Sequence, residues 1–254
     1  MTNVPINSGD IIAASNNLSK PLFPPLPSVG PWIEQLTTWA KAPIHFPIQH
    51  LGRGFLNLQK YGLTPEAIYI FDAMASTTVA IAHYLRGKPG GLTLGQIAKA
   101  RTVVHQRLLL LPSFSELEGV QDNPSVYEAC RNTASIYAIA VIFPIPNSFH
   151  PFQTLVKRLK SCIESGGVEK EACLSNLLLW VLVIGGIAAL DKPEREWYVS
   201  KLILLIRRWG AWEWESVERN MGEYLWLESA CGLAGRRLWA EVMNRTLEEM
   251  SGIC

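Results

Sequence analysis

Leu174–Leu190, LSNLLLWVLVIGGIAAL, is the stretch whose reading decides the fold. Beyond Ser175 and Asn176 it carries no polar side chain, so any helix it forms is apolar on every side and has to be covered all round. Its 17 positions fall short of the roughly 20 apolar residues that a bilayer core requires. The segments after it are amphipathic and carry tryptophan anchors: Trp197–Tyr198, Leu225–Trp226–Leu227 and Leu238–Trp239. A buried central helix with amphipathic helices packed around it satisfies both observations, and no membrane span is expected.

Working outward, breakers divide the chain into helical segments. Toward the C-terminus these are Glu171–Leu190, Pro193–Trp209, Trp214–Trp226 and Cys231–Met250, separated at Lys192–Pro193, Gly210 and Gly232. Toward the N-terminus, Pro151–Glu164 is preceded by a helix that opens at Pro124 and ends before Pro144 and Pro146. Thr93 caps a helix that runs to Leu111 and stops at Pro112. Thr64–Pro65–Glu66 is a helix start, with a threonine cap and proline at the first helical position; that helix reaches about Arg86 and closes at Gly87–Gly91. Pro31–Lys41 forms a short helix. Residues 1–30 contain Pro21, Pro24, Pro25 and Pro27, which remove backbone donors, and predict an irregular Pro-rich N-terminal arm. No stretch alternates apolar and polar residues between hairpin turns, so no strand is predicted. The expected fold class is all-α: a single helical-bundle domain of about eight to nine helices over 31–254, with the arm over 1–30.

Composition narrows the function. A hydrophobic fraction of 48% supplies a sizeable core. The 23 basic and 22 acidic residues give a formal net charge of +1, and the short clusters Lys157–Arg158–Lys160, Arg207–Arg208 and Arg236–Arg237 are diluted by acidic neighbours. No basic stripe of the kind that binds phosphates is visible, so no direct nucleic acid binding is expected. The five cysteines, Cys130, Cys162, Cys173, Cys231 and Cys254, contain no C-x-x-C pair; neither a disulfide framework nor a zinc knuckle fits, and reduced thiols in the cytoplasm or nucleus do. The N-terminus shows no secretory signal.

From about Asp122 onward the residues carry a family look. Glu128–Ala129–Cys130–Arg131, Ala134–Ser135–Ile136–Tyr137 and Phe143–Pro144 form one block. Leu178–Leu179–Trp180 with Gly185–Gly186 form a second, and Glu194–Val199, Leu225–Leu227 and Gly235–Trp239 the last. Together they resemble the C-terminal half of the fungal-specific transcription factor domain, the regulatory region of zinc-cluster (Zn2Cys6) regulators. These are packing motifs, which identify a scaffold rather than a chemistry. The resemblance implies a helical body that senses metabolites in an interhelical pocket. Zinc-cluster regulators read DNA with six cysteines within about thirty basic residues, which hold two zinc ions. From Met1 this chain holds no such cluster: the first cysteine is Cys130. The expectation is a body without its own DNA-reading head.

Candidate site residues follow from spacing. Asp72, Ser76, Val79 and His83 fall at i, i+4, i+7 and i+11 and share one helix face. Asp72 and His83 stand about 16 Å apart by helical rise, too far for a direct pair but able to line one groove. A carboxylate and an imidazole on an apolar face can do acid–base work, so Asp72 and His83 are the catalytic candidates, with Ser76 beside them. Trp39, His50, Ser76, His105 and Trp180 are the substrate-binding candidates. Trp39 and His50 lie in the aromatic segment Trp39–Phe55, which can lid a pocket, and His45 flanks Pro47 opposite His50. Arg101 and His105 at i and i+4 suit an anion or enolate. The plainer reading makes Asp72 and His83 hydrogen-bonded core or rim residues, Arg101 and His105 a solvated helix face, and Trp180, Trp197, Trp209, Trp212, Trp214, Trp226 and Trp239 core and anchors. Glu128 and Arg131 at i, i+3 form a structural ion pair. No metal site and no cofactor are expected: no acidic or cysteine partner stands at metal spacing, and no G-x-S-x-G, P-loop, G-x-G-x-x-G or H-E-x-x-H motif occurs.

Two functions from different classes fit. One is a stand-alone, repurposed regulatory-domain scaffold that binds a hydrophobic small molecule and catalyses a cofactor-free cyclisation or isomerisation in fungal natural-product biosynthesis, by positioning plus one acid or base. The alternative is a transcription regulator of the Zn2Cys6 type that lacks its own cluster and acts through a ligand or a partner. A third possibility places the cluster upstream of Met1. Both main readings are compatible with a homodimer.

Overall fold

The computed structural model describes residues 8–23, 29–42, 50–117, 124–145, 149–166, 168, 172–209 and 213–251. The apolar run buries itself. It forms helix α7 (Ser175–Ala188), in which every residue from Leu177 to Gly186 is buried. Helices α5 (Pro124–Tyr137), α6 (Phe149–Glu164), α8 (Arg195–Trp209), α9 (Trp214–Met221) and α10 (Glu228–Ser251) all pack on it. A second layer is built on α3 (Pro65–Leu85), flanked by α2 (Val29–Ala40) and α4 (Leu94–Leu110), and α4 in turn touches α5. Helix α1 (Ser8–Asn17) lies on α4 and α6. Among the described residues there are ten α-helices and no strand, so the fold is all-α as expected.

Local chemistry sets most boundaries. The Thr64 hydroxyl accepts the Ala67 N–H at 3.2 Å with Pro65 at the first helical position, which opens α3 where the sequence predicts. Thr93 and Gln96 form a reciprocal capping box at the start of α4. Helix α3 is long and apolar enough by length and composition to cross a membrane, yet 67% of its most apolar window is buried inside the bundle. That burial is what a core helix of a bundle shows.

Three departures are informative. The N-terminal arm is not wholly irregular. No proline stands between Pro5 and Pro21, and Ser8–Asn17 in that gap buries Ile11, Ala14 and Ser15 as α1. Leu18 in the left-handed region (φ 49) ends that helix, and the Asp10 carboxylate accepts the N–H groups of Leu22 and Phe23 at 3.0 and 3.2 Å. Next, Arg53–Tyr61 is a 3₁₀ helix between left-handed Gly52 and Gly62, with φ of 85 and 94. Gly52 and Gly54 donate to the Tyr224 and Glu223 carbonyls, each at 2.7 Å, which fastens this turn to the link before α10. Finally, α9 stops at Met221 rather than Trp226, because Tyr224–Leu227 unwinds to bury four side chains in the core. Gly210, Trp212, Pro43 and Pro47 lie outside the described residues.

The Gly185–Gly186 pair lets neighbours reach the α7 backbone. A Cβ on Gly185 would stand 2.5 Å from Tyr198 Cε1 and 2.9 Å from Leu159 Cδ2. Tyr198 cannot retreat, since its hydroxyl donates to the Val156 carbonyl at 2.9 Å and its ring is fully buried. Gly185→Ala is therefore expected to destabilise the fold by about 1–3 kcal/mol despite alanine's better helix propensity. An unchanged urea midpoint would show that the α7–α8 contact yields freely.

Candidate functional site

The structure distributes the candidate residues over several places. Asp72 and Ser76 open on one cleft of about 170 Å³ between α2, α3 and the 3₁₀ helix, with Lys41, Arg53 and Val79 also on its wall. Asp72 is half-buried and its carboxylate accepts from Lys41 Nζ at 2.8 Å. Its charge is thus matched by a cation from the end of α2. Ser76 is 3% exposed. His50 is half-buried at the edge of the stretch outside the description, and is not among the residues lining this cleft.

His83 does not share that cleft. It is buried beneath Trp39, whose ring meets the imidazole edge-on at a centroid distance of 5.6 Å. The Gly91 backbone closes the other side, near enough that a Cβ there would stand 2.5 Å from His83 Nδ1. Trp39 Nε1–H donates to the Gly90 carbonyl at 3.4 Å. The glycine turn after α3 therefore folds back over its last residues, and among the described residues His83 does not line the cleft that holds Asp72. His45 lies outside the described residues.

His105 faces neither solvent nor Asp72. It is 1% exposed, stacks on Phe143 at 5.4 Å and approaches Ser15 Oγ at 2.6 Å through Nε2. The expected solvated Arg101–His105 face is thus corrected: Arg101 caps the Ile142 carbonyl and sits over the Phe143 ring, and His105 pins α1. Burial pushes the His105 pKa down to about 4, so the ring is neutral near pH 7. Trp180 is likewise core rather than pocket wall. It is fully buried, donates Nε1–H to the Leu225 carbonyl at 3.0 Å and stacks on Tyr224 at 5.4 Å. Glu128 and Arg131 pair at 2.8 Å as expected, and Glu128 also accepts the Phe114 N–H at 2.7 Å.

A second concavity, which the residue spacing does not reveal, lies on the other side of α7. Helix α5 does not end at Tyr137 but widens into a π-helical turn, Ala138–Ile142, closed by Phe143 N–H donating to the Ala138 carbonyl at 2.7 Å. This turn, the C-terminal end of α7, Phe152 of α6 and Cys231 of α10 line a half-open, mostly apolar hollow of about 340 Å³. Burial pushes the Cys231 thiol up to about 12 and raises the Tyr137 phenol far above its ordinary range, so both walls stay uncharged. Among the described residues that line it, Asp191 and Lys192 bring charge, at the mouth. No sequence signal marks the extra residue per turn; the run Ala138–Ile142 followed by Phe143–Pro144 reads equally as ordinary helix. Among the described residues no three His, Cys, Asp or Glu side chains gather in a metal-binding group.

No curated protein and no solved structure matches the chain. A family model does: the one described as fungal specific transcription factor domain matches residues 69–227.

Proposed function

The chain belongs to the fungal-specific transcription factor domain family, and from that premise we propose that it is the regulatory body of a transcription regulator, acting through a bound small molecule or partner rather than through DNA contacts of its own. The match over 69–227 carries the reading, because it runs from near the start of α3 to the residue before α10 and so takes in most of α3, all of α4 and the central helix α7. The near-neutral charge supports indirect action. A nuclear site of action follows from the role, with the cytoplasm as the alternative place of residence. The domain is proposed to include α1, whose buried face ties the N-terminal segment to α4 and α6.

A catalytic role for Asp72 and His83 needs both to reach one bound molecule. Their separate settings, one in an ion pair on a cleft and the other under Trp39, favour the regulatory reading. The test is a deletion strain in the source organism, profiled for transcripts and metabolites together. Coordinate loss of a set of transcripts is the expected result. Accumulation of one precursor with transcripts unchanged would overturn the proposal in favour of an enzyme.

A further inference from the structure

The geometry points to a ligand site at the π-turn: we propose that the cavity between Ala138–Ile142, the end of α7, Phe152 and Cys231 binds a compact, uncharged, ring-rich hydrophobic molecule of about a dozen non-hydrogen atoms, with one polar group at the Asp191–Lys192 mouth. This rests on the regulatory reading for its purpose and on the cavity for its location. The opposite face of α7 shows how tightly this bundle packs: Gly186, between the lining residues Ile184 and Ile187, would place a Cβ 2.7 Å from Leu238. Natural interiors of that density rarely keep large apolar spaces. Beside the same helix, by contrast, a half-open apolar hollow of about 340 Å³ runs in from the surface. An apolar space of about 150 Å³ is enough to take up benzene, so this one has room for two fused or linked rings.

The wall dictates the chemistry. Ile136, Ile184 and Ile187 offer aliphatic contact, and Tyr137 offers a ring face. The Tyr137 hydroxyl is within 3.1 Å of Thr78 Oγ1, engaged away from the cavity. The two charges that line the mouth have opposite sign, and Glu194 sets a second carboxylate near Lys192, so no net positive charge is left there to hold an anion. A ligand with one hydrogen-bonding group can turn it to the mouth and bury the rest. The backbone is also unusual on both sides. The π-turn departs from α geometry where it lines the space, as such turns do at functional sites, and Asp191 at the mouth adopts a left-handed φ of 58. Because the wall is drawn from α5, α6, α7 and α10 at once, an occupant would touch all four helices. That is the arrangement by which a ligand biases one packing of a bundle over another.

The test uses the full chain with 1-naphthol as probe, followed by fluorescence titration, thermal unfolding and methyl NMR. Saturable binding with a raised Tm is expected, and the shifts should fall on Ile136, Ile184 and Ile187 methyls while Ile33 and Ile70 stay in place. Ala140→Trp and Ala188→Leu, which fill the space from its rim, should each weaken binding at least tenfold without lowering the Tm of the unliganded protein. Should a variant lose helical structure, the wild-type methyl shifts decide by themselves. Absence of saturable binding, or methyl shifts elsewhere, overturns the site. Binding of 1-naphthoate as tight as that of 1-naphthol overturns the choice of an uncharged ligand. Neither outcome alters the transcript result, so the ligand site and the regulatory role fail separately.

Discussion

Trp180→Ala is expected to bring the fold close to collapse, costing about 3–5 kcal/mol in a domain whose total stability is of the order of 5–15 kcal/mol. The indole sits where the two layers meet. It stacks on Tyr224, meets Phe55 edge-on at 5.3 Å and holds the Leu225 carbonyl through Nε1. Phe55 in turn meets Tyr224 at 5.2 Å, so Phe55, Tyr224 and Trp180 form one closed group of three rings. Truncation removes the largest fully buried side chain and leaves a buried carbonyl without this donor, and the 3₁₀ helix that carries Phe55 loses its floor. Trp180→Phe separates the contributions: it keeps an aromatic face and forfeits the bond and part of the volume, with an expected cost of about 1–3 kcal/mol. Urea denaturation of both variants checks this. Midpoints equal to wild type for Trp180→Ala would mean that the ring cluster is not what couples the 3₁₀ helix to α7.

The second large effect is on acid stability. Ser15 Oγ donates to the Ile11 carbonyl at 2.7 Å, which commits its one proton. His105 Nε2–H must therefore donate to Ser15 at 2.6 Å, and Nδ1 is the bare nitrogen, buried without a hydrogen-bond partner among the described residues. Protonation would put a charge on a buried ring stacked against Phe143, with the Arg101 guanidinium on that same phenylalanine. Burial lowers the folded-state pKa from 6.5 to about 4. The sign follows from linkage: between those values the unfolded chain binds a proton that the folded chain refuses, so stability falls as pH drops from 6.5 toward 4 and levels off below. Between pH 7 and pH 5 the loss from this one group is about 2 kcal/mol. His105→Phe should flatten the pH dependence in that window, and hydrogen exchange should show α1 opening first in the acidified wild type. Identical pH profiles for variant and wild type would exclude His105 as the acid-sensitive pin.

Much of the fold was legible because its determinants are local. Thr64–Pro65 and Thr93 with Gln96 satisfy orphan helix N–H groups with their own side chains, so the starts of α3 and α4 can be read residue by residue. The apolar run of α7 admits no exposed face, and the blocks around Glu128–Arg131, Leu178–Trp180 and Gly235–Trp239 carried the family. The candidate site was less legible. Asp72 and Ser76 do share a cleft, as one helix face requires, but Lys41, which neutralises Asp72, comes from 31 residues upstream. The Gly87–Gly91 turn, read only as a breaker, folds back over His83. His105 shows no sign in its own helix that Ser15 and Phe143 will enclose it.

The sequence by itself determined the helical class, the buried central helix and the family, since capping, propensity and apolar patterning act over a few residues. Only the tertiary structure decided which polar groups lie buried and which surfaces face one another. It split Asp72 from His83, anchored α1 through Ser15 and His105, and opened the space beside the π-turn. Each of those outcomes depends on groups from separate segments of the chain meeting at fixed distances, and no periodicity within one helix encodes where its neighbours' side chains arrive.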